Sequence, residues 1–206
     1  DMLNAGRGYG GSCFNKDVKA LAHMAGEAGL HPQLLDAVMK INEDQRRALI
    51  DKLAAEFGGA ANLRGKTVAA LGLAFKDNTD DMREAPSIDI IHWLTEAGAT
   101  VRAFDPVASE TARGVLPAEG VIYCDDEYAA VAGADAVVVL TEWKRFIDLD
   151  LERLRAAMRD PEGSAILIDG RNLYDPEEMA RLGFRYQSFG RGNGRRRAAL
   201  FGPESV

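Results

Sequence analysis

A cysteine near the start of the chain stands in a pattern that suits covalent chemistry. Cys13 follows a glycine-rich run in the stretch GYGGSCFNKD, and Lys16 and Asp17 come three and four residues later. If a helix begins near Cys13, all three side chains share one face, and the positive end of the helix favours a thiolate. A thiolate beside a carboxylate suits nucleophilic attack followed by attack of water. The alternative is a cysteine buried at the start of a helix, and the pattern alone leaves both interpretations open.

The histidines do not complete a different kind of active site. A papain-like cysteine hydrolase needs a histidine base beside the sulfur, and the sequence singles out none of His23, His31 and His92 for that role. They are scattered without a second ligand nearby, whereas a zinc site needs several convergent donors, so we expect no metal. Cys124 lies in an apolar stretch, and we interpret it as a small core residue.

Two cations directly follow predicted strands. Lys76 comes after an apolar strand, and Arg171 stands in DGRN after the strand AILID. The carboxyl ends of parallel strands form the usual ligand crevice of an open α/β sheet. Two cations at this edge could clamp a phosphate or sugar hydroxyls. Each could instead pair with a neighbouring acid, and the sequence does not decide between these interpretations.

Two helices are predicted ahead of the strands. Apolar residues recur at helical intervals over residues 18–28 and again over residues 32–57, and glycines end both segments. At about 1.5 Å per residue the second helix is about 40 Å long, which exceeds the average globular helix. We expect it to link domains or to pair with a copy of itself, and packing entirely within its own chain is the alternative.

From Lys66 onward, short apolar runs alternate with helical segments. The runs are TVAALGL (67–73), TVRAFD (100–105), VIY (121–123), DAVVVL (135–140), AILID (165–169) and FRYQSF (184–189), and the helices span residues 87–97, 108–115, 127–132, 151–158 and 176–182. Nearly continuous apolar strands that alternate with helices predict a parallel sheet covered on both faces. The expected fold class is α/β, with a Rossmann-like sheet preceded by a helical region.

The loop after the first strand lacks the signature of a dinucleotide-binding turn. It reads LGLAFKDNTDD, in which Gly72 is alone and Phe75 and Lys76 stand where small residues would be needed. The GxGxxG pattern that brings backbone amides against a pyrophosphate is therefore missing. Asp105 ends the second strand, where a ribose-binding acid is expected, but that is a single match. We expect the sheet to bind a different nucleotide ligand or to serve as a scaffold.

The composition argues against several classes of function. The 206 residues include 25 Lys and Arg against 32 Asp and Glu, and the net charge of −7 argues against a nucleic-acid-binding or anionic-membrane-binding surface. No apolar run approaches the roughly 18 to 20 residues of a membrane span. We therefore expect a cytoplasmic protein without a structural disulfide.

The chain is expected to be the later part of a longer protein, because it begins at Asp1 and the glycine-rich loop follows within ten residues. Residues 1–62 form the cysteine loop and the central helical region, and residues 63–191 form the Rossmann-like domain. Residues 192–206 are rich in arginine, which predicts a flexible solvated tail, with phosphate contact as the alternative.

Five motifs in this order resemble the UDP-glucose 6-dehydrogenase family. They are GYGGSCFNKD, INEDQRR in the long helix, LGLAFKDNTDDMREAPS, ATVRAFDP and DGRNLYDPEEM, and the resemblance runs from about residue 3 to residue 191. It covers only the later part of such an enzyme, since the amino-terminal NAD-binding domain with its GxGxxG turn is absent from this sequence. The resemblance implies a UDP-sugar-binding domain over residues 63–191 and a homodimer formed through the long helix.

The resemblance also implies a reaction. The family oxidises the C6 alcohol of UDP-glucose to UDP-glucuronate in two hydride transfers to two NAD+. By resemblance, Cys13 attacks the C6 aldehyde to give a thiohemiacetal, a second hydride leaves to give a thioester, and water hydrolyses the thioester. Asp17 matches the acid that helps to position or activate this water. Because NAD would be bound mainly by the missing domain, this fragment alone is expected to be inactive.

Other residues match ligand contacts of the family. Lys16 lies at the position of a lysine on the cofactor side, and Arg83 matches an arginine that reaches NAD. The contacts to the sugar nucleotide match Phe75, Lys76 and Arg171, and the loop over the glucose matches Asn4, Arg7, Gly8, Tyr9 and Gly10.

The sequence departs from the family pattern at two positions. Asn15 stands where bacterial relatives usually have proline, and Asp77 follows Lys76 where proline is common. These residues flank the key side chains without replacing them, which puts loop rigidity in question more than function. GDP-mannose dehydrogenases share the GGSC and KD elements, so GDP-mannose is the alternative substrate. A nucleotide-sugar-binding and self-association module without chemistry is the alternative of a different class.

Overall fold

Two helices precede the sheet in the computed structural model, which describes residues 5–163 and 165–191. They are α1 (Ser12–Glu27) and α2 (Gln33–Glu56), and a short 3-10 helix, Ala60–Leu63, follows them. Helix α1 begins at Ser12 rather than at residue 18, because its first turns carry no apolar stripe that the sequence pattern could detect. The predicted tail over residues 192–206 lies outside the described residues.

Six parallel strands form one sheet. They are β1 (Thr67–Leu71), β2 (Thr100–Phe104), β3 (Val121–Tyr123), β4 (Ala136–Val139), β5 (Ile166–Asp169) and β6 (Arg185–Gln187). Their spatial order is β3-β2-β1-β4-β5-β6, and every neighbouring pair is parallel. This is the order of a doubly wound Rossmann sheet, with its switch point between β1 and β4. The prediction of an α/β, Rossmann-like fold is confirmed.

Helices cover both faces of this sheet. They are α3 (Pro86–Glu96), α4 (Ser109–Arg113), α5 (Glu127–Val131), α6 (Lys144–Ile147), α7 (Leu151–Ala157) and α8 (Pro176–Arg181). One apolar cluster lies between the sheet and helices α2 to α4, and a second lies between the sheet and helices α5 to α8. Because β4 and β5 are buried along their whole length, they read as continuous apolar runs in the sequence. The pattern misses α6 and the 3-10 helix, since each is about one turn long.

The two halves of α2 have different surroundings. In the second half, Leu49, Ile50 and Leu53 are buried in the same cluster as the sheet. In the first half, Leu34 is 77% exposed and Ile41 is 58% exposed. The long helix therefore anchors itself to its own sheet at one end and leaves apolar side chains uncovered at the other. Within the described ranges, no helix is both long and apolar enough to cross a bilayer.

The loop after β1 is held by a buried carboxylate. Asp105 accepts hydrogen bonds through Oδ2 from the amides of Leu73 (2.7 Å) and Ala74 (3.2 Å) and from the indole of Trp143 (3.3 Å). Its Oδ1 accepts from the amides of Val107 (3.0 Å) and Ala108 (2.9 Å). With both oxygens engaged inside the protein, Asp105 is not placed as a ribose-binding acid. An acid at the end of β2 is explained by its structural role in holding the loop after β1.

Replacing Asp105 with asparagine tests this role. The Asp105→Asn change sets an NH2 group against N–H donors, so we expect the free energy of unfolding to fall by about 2 to 4 kcal/mol in a urea titration. The matched control is Asp148→Asn, because Asp148 is exposed and pairs only with the exposed Lys144 among the described residues. That control should lose less than about 1 kcal/mol. Equal stability of the two variants would contradict the assignment.

Candidate functional site

Cys13 lies in the first turn of α1 with its side chain exposed. Asp17 stands one turn further along, and its Oδ1 is 3.5 Å from Nζ of Lys16. The side chains of Lys16 and Asp17 are 75% and 70% exposed. The helix does begin beside this cysteine, which meets the condition for an activated thiol, and the interpretation as a buried cysteine is wrong. The three predicted side chains lie together on an open surface that a ligand can reach.

The loop before Cys13 packs directly on the carboxyl edge of the sheet. The amide of Arg7 donates to the carbonyl of Gly170, just after β5, at 3.0 Å. The amide of Gly11 donates to the carbonyl of Arg83 at 3.0 Å. A Cβ on Gly10 would lie 2.6 Å from the carbonyl oxygen of Glu84, so a side chain there would push the loop away. These contacts bring Cys13 to the loops that follow β1 and β5.

Lys76 is an available cation at this edge. Its side chain is exposed, and its Nζ lies 5.6 Å from the ring centroid of Phe75. Among the described residues, Lys76 pairs with no carboxylate, although Asp77 is its neighbour in the chain. An ammonium on an exposed aromatic surface can bind an anion without first breaking a salt bridge. The interpretation of Lys76 as one half of a surface ion pair is therefore wrong.

Arg171 has a partner that sequence reasoning missed. Its guanidinium pairs with the carboxylate of Glu142, which comes just after β4, and its own amide donates to Asp169. Both members of the pair are partly buried. Glu142 stands at the same edge as Lys76 and Arg171, so the rule that pointed to those cations could have found it. Arg171 thus forms an ion pair, but a partly buried one with Glu142 rather than a surface pair with an acid beside it in the chain.

Arg7 is completely buried beside this pair. Its Nη1 donates to the carbonyl of Gly8 at 3.2 Å, and its Nη2 donates to the carbonyl of Phe75 at 3.3 Å. Burial, together with the charge of Arg171, lowers the pKa of Arg7 to about 9, and Glu142 offsets part of that effect. Arg171 is thus paired with Glu142, and Arg7 lies close enough to feel the charges of both.

Several polar atoms at this edge are buried and have no hydrogen-bond partner among the described residues. They are Nε of Arg7, Nε of Arg171, Oε2 of Glu142 and the hydroxyl of Tyr9. Because buried polar groups in folded proteins are nearly always paired, such a concentration indicates that water or a polar ligand completes the site. The arrangement suits a ligand that carries both negative charge and hydroxyl groups.

Arg83 is held beside Cys13 by a neighbouring acid. Its Nε and Nη2 donate to the two oxygens of Asp81 at 2.9 and 2.7 Å, and its side chain is 71% exposed. The hydrogen bonds and charge of Asp81 raise the pKa of Arg83, with a smaller electrostatic contribution from Cys13. In return, the Arg83 hydrogen bond lowers the pKa of Asp81. Arg83 is therefore a fixed, exposed cation near the thiol.

The structure brings most of the predicted residues to one edge. Arg7, Gly10 and Cys13 meet the segment that carries Phe75 and Arg83. Asn4 lies outside the described residues. The sequence analysis missed Glu142, Asn42 and Arg46, the last two being buried polar residues of α2 that contact the loop at Tyr9. For Asn42 and Arg46, the signal in the sequence was the polar run that interrupts the apolar spacing of α2.

The loop after β1 is not arranged to bind a dinucleotide as the corresponding loop of a Rossmann domain does. The amides of Leu73 and Ala74, which follow β1, donate hydrogen bonds to Asp105 and are therefore not available to a pyrophosphate. Over residues 5–163 and 165–191, no group of three or more His, Cys, Asp or Glu side chains is placed to hold a metal ion. Cys124 is a partly buried free thiol beside the second core cluster, and burial raises its pKa.

Two family models match the chain. The model of the UDP-binding domain of the UDP-glucose/GDP-mannose dehydrogenase family matches residues 69–176. The model of the central domain of the same family matches residues 1–44. The first match covers strands β1 to β5 and helices α3 to α7, and the second covers the Cys13 loop, α1 and the first half of α2.

Known relatives agree with these matches. A UDP-glucose 6-dehydrogenase from Pseudomonas aeruginosa is 47% identical over 195 residues, which cover 92% of this chain and 42% of that protein. The structure of a UDP-glucose dehydrogenase from Pyrobaculum islandicum matches with a TM-score of 0.75 at 35% identity, over 89% of this chain and 38% of that one.

A GDP-mannose dehydrogenase structure from Pseudomonas aeruginosa also matches, with a TM-score of 0.64 at 27% identity, over 83% of this chain and 38% of that one. The chain thus spans about two fifths of the length of the relatives it matches. From the two domain matches and the identity to these relatives, the chain belongs to the UDP-glucose/GDP-mannose dehydrogenase family.

Proposed function

We propose that this chain is the cysteine-bearing and UDP-sugar-binding part of an NAD-dependent UDP-glucose 6-dehydrogenase. In this proposal residues 1–62 carry the nucleophile and the self-association helix, and residues 63–191 bind the nucleotide sugar. The observation that carries the proposal is the packing of the exposed Cys13 loop on the loop after β1, through the bond from Gly11 to Arg83. A thiol and a nucleotide-binding edge are thus held side by side.

The thiol of Cys13 supplies the covalent step. Its sulfur, as thiolate, adds to the C6 aldehyde carbon of the half-oxidised sugar and forms a thiohemiacetal. Loss of hydride from that carbon gives a thioester, and attack of water releases the carboxylate and returns the thiol. Both oxidations need a hydride acceptor, which is the chemistry that NAD+ supplies when bound.

In this proposal, residues around Cys13 position the hydrolytic water and contact the cofactor. Asp17, one turn along α1 on the same face, positions or activates the water that hydrolyses the thioester. Lys16 and Arg83 are exposed cations and suit contacts to the anionic part of NAD. The amides after β1 are occupied by Asp105, so NAD would be held mainly by a domain outside this chain.

The sugar nucleotide is proposed to bind at the carboxyl edge of the sheet. Lys76 supplies a free cation for a phosphate, and Phe75 lies beneath it. Arg171 faces the same edge with its Nε unpartnered. The loop residues assigned to the glucose are Asn4, Arg7, Gly8, Tyr9 and Gly10. Support for this placement comes from the unpartnered buried atoms, which sugar hydroxyls and water would satisfy.

The exposed face of α2 is proposed to pair with a second copy of the chain. Leu34, Val38 and Ile41 recur at helical spacing, and the first and last of them are exposed. Phe14, Leu21 and Met24 of α1 add further exposed apolar surface. A stripe of this kind is typical of an interface. We also place the protein in the cytoplasm, where the free thiols of Cys13 and Cys124 would stay reduced.

Binding of UDP to this chain, measured by titration calorimetry, tests the nucleotide site. We expect binding that weakens about ten- to hundredfold in Lys76→Ala, because the lost charge-assisted hydrogen bond is worth about 1.5 to 3 kcal/mol. Lys144→Ala is the matched control, since Lys144 is an exposed lysine on α6 that pairs with Asp148. Unchanged binding in Lys76→Ala would contradict the site. Tighter binding of GDP-mannose than of UDP-glucose would assign the alternative substrate.

The nucleophile is tested in the full reading frame that contains this chain. Cys13→Ser should bind UDP-glucose within about threefold of the parent and lose about a thousandfold or more in turnover, measured as NADH formed. Cys124→Ser, the other free thiol, should keep its rate. An unaffected rate in Cys13→Ser removes Cys13 from the mechanism. NADH formed by the 206-residue chain alone would contradict the view that NAD binds mainly elsewhere.

Sedimentation of the chain tests the self-association face. We expect a dimer that Ile41→Glu converts to monomer, because a charge would be buried in an apolar contact. The matched control is Ile147→Glu, since Ile147 is 49% exposed on α6, away from this stripe. A monomeric parent chain, or a dimer that Ile41→Glu leaves intact, would argue against α2 as the interface.

A further inference from the structure

Helix α2 holds the backbone of the Cys13 loop through an amide side chain. Oδ1 of Asn42 accepts the amide of Tyr9 at 2.7 Å, and Nδ2 of Asn42 donates to the carbonyl of Tyr9 at 3.1 Å. Asn42 is 7% exposed. One side chain thus satisfies both backbone groups of Tyr9, because an amide carries both a donor and an acceptor.

Arg46, one turn further along α2, joins the same backbone to the nucleotide domain. Its Nη2 donates to the carbonyls of Tyr9 (3.1 Å) and Glu84 (3.3 Å), and its Nη1 pairs with the carboxylate of Asp89 on α3. The side chain of Arg46 is nearly buried. Because Glu84 follows Arg83 directly, this guanidinium holds both segments that flank the thiol.

The loop approaches α2 so closely that a glycine is required. A Cβ on Gly8 would lie 2.7 Å from Oδ1 of Asn42 and 2.9 Å from the Asn42 carbonyl, and Gly8 has a φ of +94°. A side chain at this position would push the loop off the helix and break the two bonds to Tyr9. The glycine and the asparagine therefore form one contact.

Little freedom is left between this contact and the thiol. The ring of Tyr9 packs edge to face on Phe14, with the ring centroids 4.7 Å apart. Gly11 is tied to Arg83. A displacement of Tyr9 is consequently transmitted to the start of α1, where Cys13 lies.

We propose that Asn42 and Arg46 are positioning residues that set the place of Cys13 relative to the nucleotide domain. The inference rests on the proposed function, because it assumes that Cys13 is the nucleophile. Neither residue is expected to touch substrate, since both are buried behind the loop. A side chain that acts in this way should affect turnover far more than substrate binding.

Asn42→Asp is the variant that tests the clamp in this chain. The aspartate keeps an acceptor for the Tyr9 amide but sets a second oxygen against the Tyr9 carbonyl, where Asn42 donates. We expect the amides of Tyr9 and Gly11 to exchange with deuterium about tenfold faster or more, while the β1 amides stay protected. The control is Asn62→Asp, because Asn62 also donates from Nδ2 to a carbonyl, that of Phe57, but on an exposed surface. Unchanged protection of the loop in Asn42→Asp overturns the clamp.

Turnover in the full reading frame tests the effect on Cys13. We expect kcat of Asn42→Asp to fall about tenfold or more while KM for UDP-glucose stays within about threefold, and Asn62→Asp to match the parent. If the loop amides lose protection but kcat does not fall, the positioning role is overturned. If the β1 amides also lose protection, Asn42→Ala, which adds no charge, takes the place of Asn42→Asp. An inactive parent enzyme would instead refute the proposed function, and the positioning role would then fall with it.

Discussion

The buried carboxylate of Asp105 is the interaction on which the ligand-binding edge depends. In a dinucleotide-binding sheet, the amides after the first strand face a pyrophosphate that arrives with the ligand. Here the carboxylate of Asp105 accepts hydrogen bonds from those amides. It also accepts from the amides of Val107 and Ala108 and from the indole of Trp143. The turn no longer has to leave room for a phosphate. It can continue as the long segment that carries Phe75, Lys76 and Arg83 before α3 begins at Pro86.

The electrostatic balance at the same edge is uneven. Arg171 pairs with Glu142, whereas Arg7 is completely buried and forms no ion pair among the described residues. Keeping a buried guanidinium charged beside another cation costs free energy, which is why the pKa of Arg7 is lowered. An anionic ligand at this edge would relieve that cost.

The sequence predicts the sheet well because each strand is a short apolar run buried on both faces. It also finds the strand-end cations Lys76 and Arg171, because their positions follow from sheet topology. The partners of those residues do not follow from the sequence in the same way. Glu142 meets Arg171 only when β4 and β5 lie side by side. Tyr9 meets Asn42 only when α2 returns past the loop, so the sequence can mark these residues as candidates but does not show which of them meet.

The residues of α2 that face the loop, the core and solvent must keep their relative rotation, and this restricts the number of residues in the helix. Ile41 is exposed while its neighbour Asn42 is buried against Tyr9, and Leu49 and Leu53 fix the second half in the core. Deleting or inserting one residue between Asn42 and Leu49 would rotate the first half by about 100°. The amide would then leave the loop, and the apolar stripe would turn to a new direction. Over evolutionary time, α2 should therefore accept substitutions on its exposed stripe far more readily than any change in the number of its residues.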